Sequence, residues 1–266
     1  MFADIALARR LERTEGSACR DFVEARAELR PAIGAAWTEI AGAYAMFDGV
    51  GSPITQTFGL GMFGPATGAD MEAIESFFTQ RGAEVHHEVS PLADMTLLNS
   101  RGYEPFEFTS VMYMPLKDVS SEANAVSVRI VEPEDHAVWV DVSTEGWSEA
   151  AEYAHLIRDF SEVGVARKKA LSFLAEIDGK PVAAGSLCIH DGVALLAGAC
   201  TIPSARRQGA QQALHHARMQ YAKETGCDLA MMCAAPGSTS QRNAERHGFR
   251  IAYTRIKWRQ VRPPAA

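Results

Sequence analysis

The chain has 266 residues, 47% of them hydrophobic and 22% charged, an ordinary make-up for one large or two small globular domains. That excludes a disordered tail, a collagen-like repeat and a small disulfide scaffold. With 26 basic and 33 acidic residues the net charge is −7; a duplex-binding surface carries a basic surplus, so no nucleic-acid partner is expected. An acidic field suits a cationic or amine-bearing partner.

Taken in chain order, the first half reads as helix over 2–30, strands over 35–47 and 52–60, and a helix over 70–80. A strand over 83–89, a short helix to Arg101 and a strand over 103–114 follow. The polar stretch 117–124 has no apolar period and reads as a linker. The second half opens with helices within 133–170. Strands over 171–177, 181–190 and 193–201 are separated by Asp178-Gly179 and Asp191-Gly192, both tight-turn signals. Beyond Pro203, the residues Ala210, Leu214, Ala217 and Tyr221 form one helical stripe, and Gly226 closes it. Residues 228–235 read as a strand, Ser238 or Thr239 as the cap of a short helix to Arg246, and 249–258 as the last strand.

The five cysteines, Cys19, Cys188, Cys200, Cys227 and Cys233, form no CxxC or CxxH pair, so no structural metal site is indicated. Cys188, Cys200 and Cys233 stand in apolar runs and read as small buried hydrophobes in a reducing compartment. The first ten residues lack the apolar stretch of a signal peptide. The most apolar region, 182–201, is broken by His190-Asp191-Gly192. No membrane span and a cytoplasmic location are therefore expected.

The chain repeats itself. Residues 41–50 share five of ten positions with 184–193, an offset of 143. Asn99-Ser100-Arg101-Gly102-Tyr103 echoes Glu245-Arg246-His247-Gly248-Phe249, and Gly102 and Gly248 are 146 apart. Similar offsets at both ends of a long stretch point to duplication.

The chemistry concentrates in residues 197–211, where a buried strand ends in a basic, glycine-containing turn that opens a helix. The first N–H groups of a helix have no partner within it, and with the helix dipole they form an anion site. Gly209 lets a phosphate approach the backbone, and Arg206 and Arg207 add positive charge. The spacing Thr201-x-Pro203-x-x-Arg206-x-x-Gly209-x-Gln211 resembles the acyl-CoA motif of the GNAT acetyltransferase superfamily. Residues 240–249 resemble that family's last helix and the Gly-Phe before the next strand, and the resemblance covers about 126–260.

The resemblance implies an α+β fold with a mixed sheet: two GNAT-like acyl-CoA N-acyltransferase domains in tandem, residues 1–118 and 124–266, the first degenerate. It implies acetyl-CoA as acyl donor and transfer of the acetyl group to an amine of a small molecule or protein. By the same resemblance, Ala199, Cys200 and Thr201 pair their backbone with the pantetheine arm. The amides of Arg207, Gln208, Gly209, Ala210, Gln211 and Gln212 hold the pyrophosphate, and Asn243 bonds the cofactor near its thioester end.

Two positions depart from the family pattern. Gln211 replaces a glycine or alanine and fits only if its side chain points away from the phosphate. Ala244 stands where many members carry a tyrosine that protonates the leaving thiolate. This supports a second reading, an acyl-CoA-binding or regulatory module with little turnover. Tyr253 reads as a packing residue. No general base or acid is assigned: Glu145, Glu149, Glu152 and His155 read as solvated helix positions, His190 as a turn residue, His215 and His216 as surface. Trp139 and Trp147 read as core. In the first half, Gly59, Gly61 and Gly64 match GxGxxG with Glu84 downstream. The βαβ context of a dinucleotide site is missing, so this reads as a decayed copy of the acyl-CoA loop.

Overall fold

A computed structural model describes residues 3–119, 126–149 and 156–261. The first half of the chain forms α1 (Ile5–Leu29), β1 (Ala36–Ile40), β2 (Ala43–Phe47), β3 (Gln56–Phe58), α2 (Gly68–Thr79), β4 (His86–Val89), α3 (Thr96–Ser100) and β5 (Tyr103–Pro115). The second half forms β6 (Ser127–Ile130), α4 (His136–Gly146), α5 (Ile157–Ala166), β7 (Ala170–Ile177), β8 (Lys180–His190) and β9 (Val193–Thr201). It continues with α6 (Ala210–Glu224), β10 (Leu229–Ala234), α7 (Thr239–Arg246) and β11 (Arg250–Gln260). The expected order of the second half is present, with β6 added before it. The linker expected over 117–124 falls largely outside the described residues.

These elements divide into two compact units, residues 1–113 with 233–266, and residues 114–232. The boundaries expected at 1–118 and 124–266 follow the repeat in sequence. The compact units follow strand pairing, and β11 is what separates the two descriptions. It runs antiparallel to both β4 and β5, with Lys257 opposite Glu88 on one side and Glu107 on the other. The strand order in the first unit is therefore β1-β2-β3-β4-β11-β5.

One face of that sheet packs on α2 through Ala43, Phe47, Ile74, Phe78, Val89 and Trp258. A fully buried side chain of this size contributes about 1.5–3 kcal/mol. The other face meets α1 through Val23, Tyr44, Met46 and Phe58. On that side lies a buried ion cluster. The Arg255 guanidinium reaches Glu12 at 2.9 Å, Glu15 at 2.8 Å and Glu88 at 3.2 Å. Tyr253 donates to Glu12 at 2.7 Å, and Gln56 donates to Glu88 at 2.8 Å.

In the second unit the strand order is β10-β9-β8-β7-β6. Asp178 and Gly179 have φ of 51° and 73°, and Asp191 and Gly192 have 46° and 71°, the left-handed pair a tight hairpin turn needs. The repeat window divides when set against these turns. Gly49 follows β2 as Gly192 follows β8, so that end of the match is structural. Ala41-Gly42 is the turn between β1 and β2, whereas Ala184-Gly185 lies inside β8. The strand β2 is five residues long and β8 is eleven, so the two windows part company. Gly102 and Gly248 do correspond, each following a short helix and preceding a long strand.

Candidate functional site

The parallel strands β9 and β10 pair over only three positions, ending at Leu195 opposite Met231. From there to Thr201, β9 has no partner in β10. On its other side β9 pairs with β8, but the ladder breaks between Ser186–Ala197 and Ala184–Cys200. Gly185 thus faces two residues, Gly198 and Ala199, and the strand bulges. Gly198 has a φ of 59° and is exposed, in a strand whose residues 193–196 are buried. A bulged strand with an unpartnered edge can accept an extended ligand as an added strand.

The chain then turns into α6. Arg207 and Gly209 have φ of 63° and 87°, both left-handed, and both are exposed. Gly209 is the N-cap and supplies no side-chain bond to the first turn. The amides of Ala210, Gln211 and Gln212 therefore begin the helix without a side-chain acceptor on the N-cap, the condition for anion binding. Ala210 buries its methyl group in the core, 1% exposed, which anchors this turn. Gln211 turns its side chain toward Thr201, whose hydroxyl donates to Gln211 Oε1 at 3.4 Å. Gln208 donates to Ser204 O at 3.3 Å. Arg206 bonds Thr201 O at 3.4 Å and Glu149 at 2.5 Å.

The first unit treats the corresponding helix differently. Thr67 and Asp70 form a capping box at α2: Thr67 Oγ1 accepts from the Asp70 amide at 3.2 Å, and Asp70 accepts from the Thr67 amide at 2.8 Å. These hydrogen bonds from Thr67 hold the Asp70 carboxyl below its usual range. The helix end is thus satisfied by a carboxylate of its own. The preceding glycine loop is filled as well. A Cβ on Gly61 would stand 2.4 Å from Asp94 O, and one on Gly59 would stand 2.8 Å from the Phe63 ring. Gly59 and Gly61 are thus used for internal packing, whereas a Cβ on Gly64 would meet nothing within 4 Å.

The remaining expected residues are placed as follows. Cys200 is buried, with Sγ 3.7 Å from Ser143 O, and burial pushes its thiol up to about 11. Ala199 and Thr201 are half-buried on the same strand. Asn243 lies on α7, in the first unit, and accepts a bond from Arg246 at 2.9 Å. Ala244 is 2% exposed, so the family's tyrosine position is a core methyl here. Tyr253 is a core residue whose hydroxyl is committed to Glu12, and burial raises its pKa well above the usual value. Glu145 is exposed on α4, and Glu152 and His155 lie outside the described residues. His190 pairs with Val193, at the opposite end of the β8–β9 ladder from Thr201, roughly 25 Å along the strand at about 3.3 Å per residue.

Three expectations need correction. His215 is buried rather than on the surface, 7% exposed. Trp139 is core, but Trp147 ends α4 with 41% exposure. The core stripe of α6 is Ala210, Leu214, Arg218 and Ala222, displaced from the 210-214-217-221 line because a buried arginine occupies its middle.

A splayed parallel pair, a bulge, and a helix whose first turn has no side-chain cap stand together at the end of β9, as the resemblance to acyl-CoA N-acyltransferases leads one to expect. Comparison with known proteins agrees. The Acetyltransferase (GNAT) family model matches residues 135–249. An aminoglycoside N(6')-acetyltransferase type 1 of Klebsiella aerogenes is 34% identical over 110 residues, 38% of this chain and 72% of that protein. A GCN5-related N-acetyltransferase structure from Kribbella flavida superposes with a TM-score of 0.63 at 20% identity, covering 93% of this chain and 96% of that one. A tandem GNAT protein from the clavulanic acid biosynthesis pathway superposes with a TM-score of 0.52 at 13% identity, covering 74% and 70%. At such identities the two structures speak for the fold alone.

The chain belongs to the GNAT acetyltransferase family. It is an acetyl-CoA-dependent N-acetyltransferase with a tandem GNAT-like architecture. Among the described residues no helix is long and apolar enough to cross a membrane, and no group of His, Cys, Asp and Glu is arranged for a metal.

Proposed function

We propose that acetyl-CoA binds in the second unit, along β9 and over the start of α6, and that the first unit carries no donor site. The carrying observation is the contrast between the two helix starts: Gly209 leaves the first turn of α6 without a side-chain cap, whereas Asp70 occupies that of α2. The backbone of Ala199, Cys200 and Thr201 receives the pantetheine arm, and the amides of Arg207 through Gln212 receive the pyrophosphate. The halves 1–118 and 124–266 are then two copies of one ancestor, of which only the second keeps the phosphate turn.

In the transfer, the acceptor nitrogen forms a bond to the thioester carbonyl carbon. Negative charge collects on the carbonyl oxygen, the C–S bond breaks, the sulfur leaves with the electron pair and takes a proton, and the nitrogen releases one. The acceptor is an amine of a small molecule or a protein. The relative from Klebsiella aerogenes and the −7 net charge favour a cationic, polyamine-like acceptor such as an aminosugar. A location in the cytoplasm agrees with the acetyl-CoA requirement.

The test is release of free thiol from acetyl-CoA across a panel of an aminoglycoside, a polyamine, an amino acid and a lysine peptide. Amine-dependent release, greatest with a cationic acceptor, is expected. Tight CoA binding with no amine-dependent release would support the binding-module reading that Ala244 suggests.

A further inference from the structure

Arg218 lies in the middle of the core face of α6 and is 1% exposed. Its Nε donates to Leu214 O at 3.1 Å, one turn back. Its Nη1 donates to Ser186 O on β8 at 3.0 Å and to Ala197 O on β9 at 3.4 Å. No carboxylate among the described residues forms an ion pair with it. Burial pulls its pKa down to about 10, and the Cys200 thiol is the sole group that opposes this. It is a lone buried cation held by carbonyl dipoles.

Packing alone does not call for such a residue. A leucine or methionine would fill this helix position without desolvating a charge. One neighbour across the sheet, Gly185, is fitted to it. A Cβ on Gly185 would stand 3.1 Å from both Cζ and Nη1 of Arg218, and 3.5 Å from the Ala199 Cβ. Gly198 takes the left-handed φ of 59° that lets β9 bulge opposite Gly185. A glycine without a Cβ, a glycine with left-handed backbone and a buried guanidinium thus meet at one break in the ladder. That break lies on the part of β9 that has parted from β10.

We infer that Arg218 is a positioning residue for acetyl transfer, clamping Ser186 and Ala197 so that the β9 bulge holds its backbone rigidly against the thioester. Ala197 C=O and Gly198 N–H belong to one peptide unit. A charge-assisted bond to the carbonyl polarises that unit and makes the Gly198 amide a stronger donor. A stronger, fixed donor favours the stage at which the thioester oxygen carries negative charge. The phosphate turn at Arg207–Gln212 is a separate contact surface, so the clamp acts on turnover more than on binding. The inference rests on the donor site proposed above.

The experiment compares the wild type with Arg218→Met and Arg218→Lys, using the fastest amine of the panel as acceptor. Measured are kcat, KM for acetyl-CoA, Kd for CoA by calorimetry, and Tm. For Arg218→Met, a fall in kcat of tenfold or more is expected, with CoA Kd changed less than threefold and Tm equal or higher. Arg218→Lys, which keeps the charge, recovers part of kcat. Wild-type kcat in Arg218→Met overturns the inference, as does a parallel loss of kcat, CoA binding and Tm. If Arg218→Met does not fold, Gly185→Ala displaces the guanidinium instead: lowered kcat with CoA affinity retained supports the clamp, and unchanged kcat overturns it. A wild type that turns over no amine defeats the acetyltransferase reading itself, which is a different outcome.

Discussion

Thr67 and Asp70 cap each other at the start of α2, so the first unit fills with its own side chains the position that the second leaves at Gly209. Thr67→Ala removes the N-cap and is expected to cost about 1 kcal/mol, read from urea unfolding. Because the Asp70 carboxyl is held low, the cap's contribution is present at neutral pH and is lost as the pH falls through that depressed titration. CoA affinity is expected to be unchanged in this variant, and a loss would place donor binding at α2.

Arg206 is paired with Glu149, so in the proposed donor site a cofactor phosphate would have to compete with Glu149 for it. The pair is exposed at both partners, with side chains 41% and 65% accessible, so it adds little to stability. Glu149→Gln is expected to leave Tm within a degree or two and to lower KM for acetyl-CoA two- to fivefold at low salt. The gain shrinks as salt rises. A raised KM would show that Glu149 supports the site.

The cluster around Arg255 has an asymmetric sensitivity. One guanidinium, 0% exposed, serves Glu12, Glu15 and Glu88. Arg255→Met leaves buried carboxylates without compensation and is expected to cost about 3–5 kcal/mol in chemical denaturation. Glu12→Gln removes one charge from an acid-rich cluster in which burial has already pushed the Glu12 carboxyl up. It is expected to be far milder, and equal losses in the two variants would contradict this reading of the cluster.

His87 is wholly buried between Thr57, 2.7 Å from Nδ1, and the Tyr103 ring. Burial holds its pKa down at about 3 from an ordinary 6.5. Between these values the unfolded chain binds a proton that the folded chain refuses, so stability falls as pH falls from 6.5 toward 3. The slope from this one group is at most about 1.4 kcal/mol per pH unit. His87→Leu is expected to flatten unfolding free energy against pH in that window, and an unchanged slope would show that other groups carry it.

Much of this was legible in the residues. Turn pairs such as Asp178-Gly179, the motif from Thr201 to Gln211 and the Gly248-Phe249 step are local signals, and local signals specify local geometry. The partner of β11 was not legible, because antiparallel pairing with β4 and β5 is decided by contacts such as Arg255–Glu12, 243 residues apart. Arg218 is hidden in the sequence for a related reason. A charged residue reads as solvent-facing, so the sequence places the stripe through Ala217 and Tyr221. The line Ala210, Leu214, Arg218, Ala222 has an equally good helical period, and Gly185 facing it became visible only in three dimensions.

The donor site is tested most directly by titrating CoA into the full 15N-labelled chain and following backbone amides. Shifts concentrated at residues 199–201 and 207–212, with 59–70 unmoved and the response abolished in Gly209→Asp, are the expected result. Shifts at the start of α2, or a Gly209→Asp variant that binds CoA as the wild type does, would contradict the assignment of donor binding to the second unit.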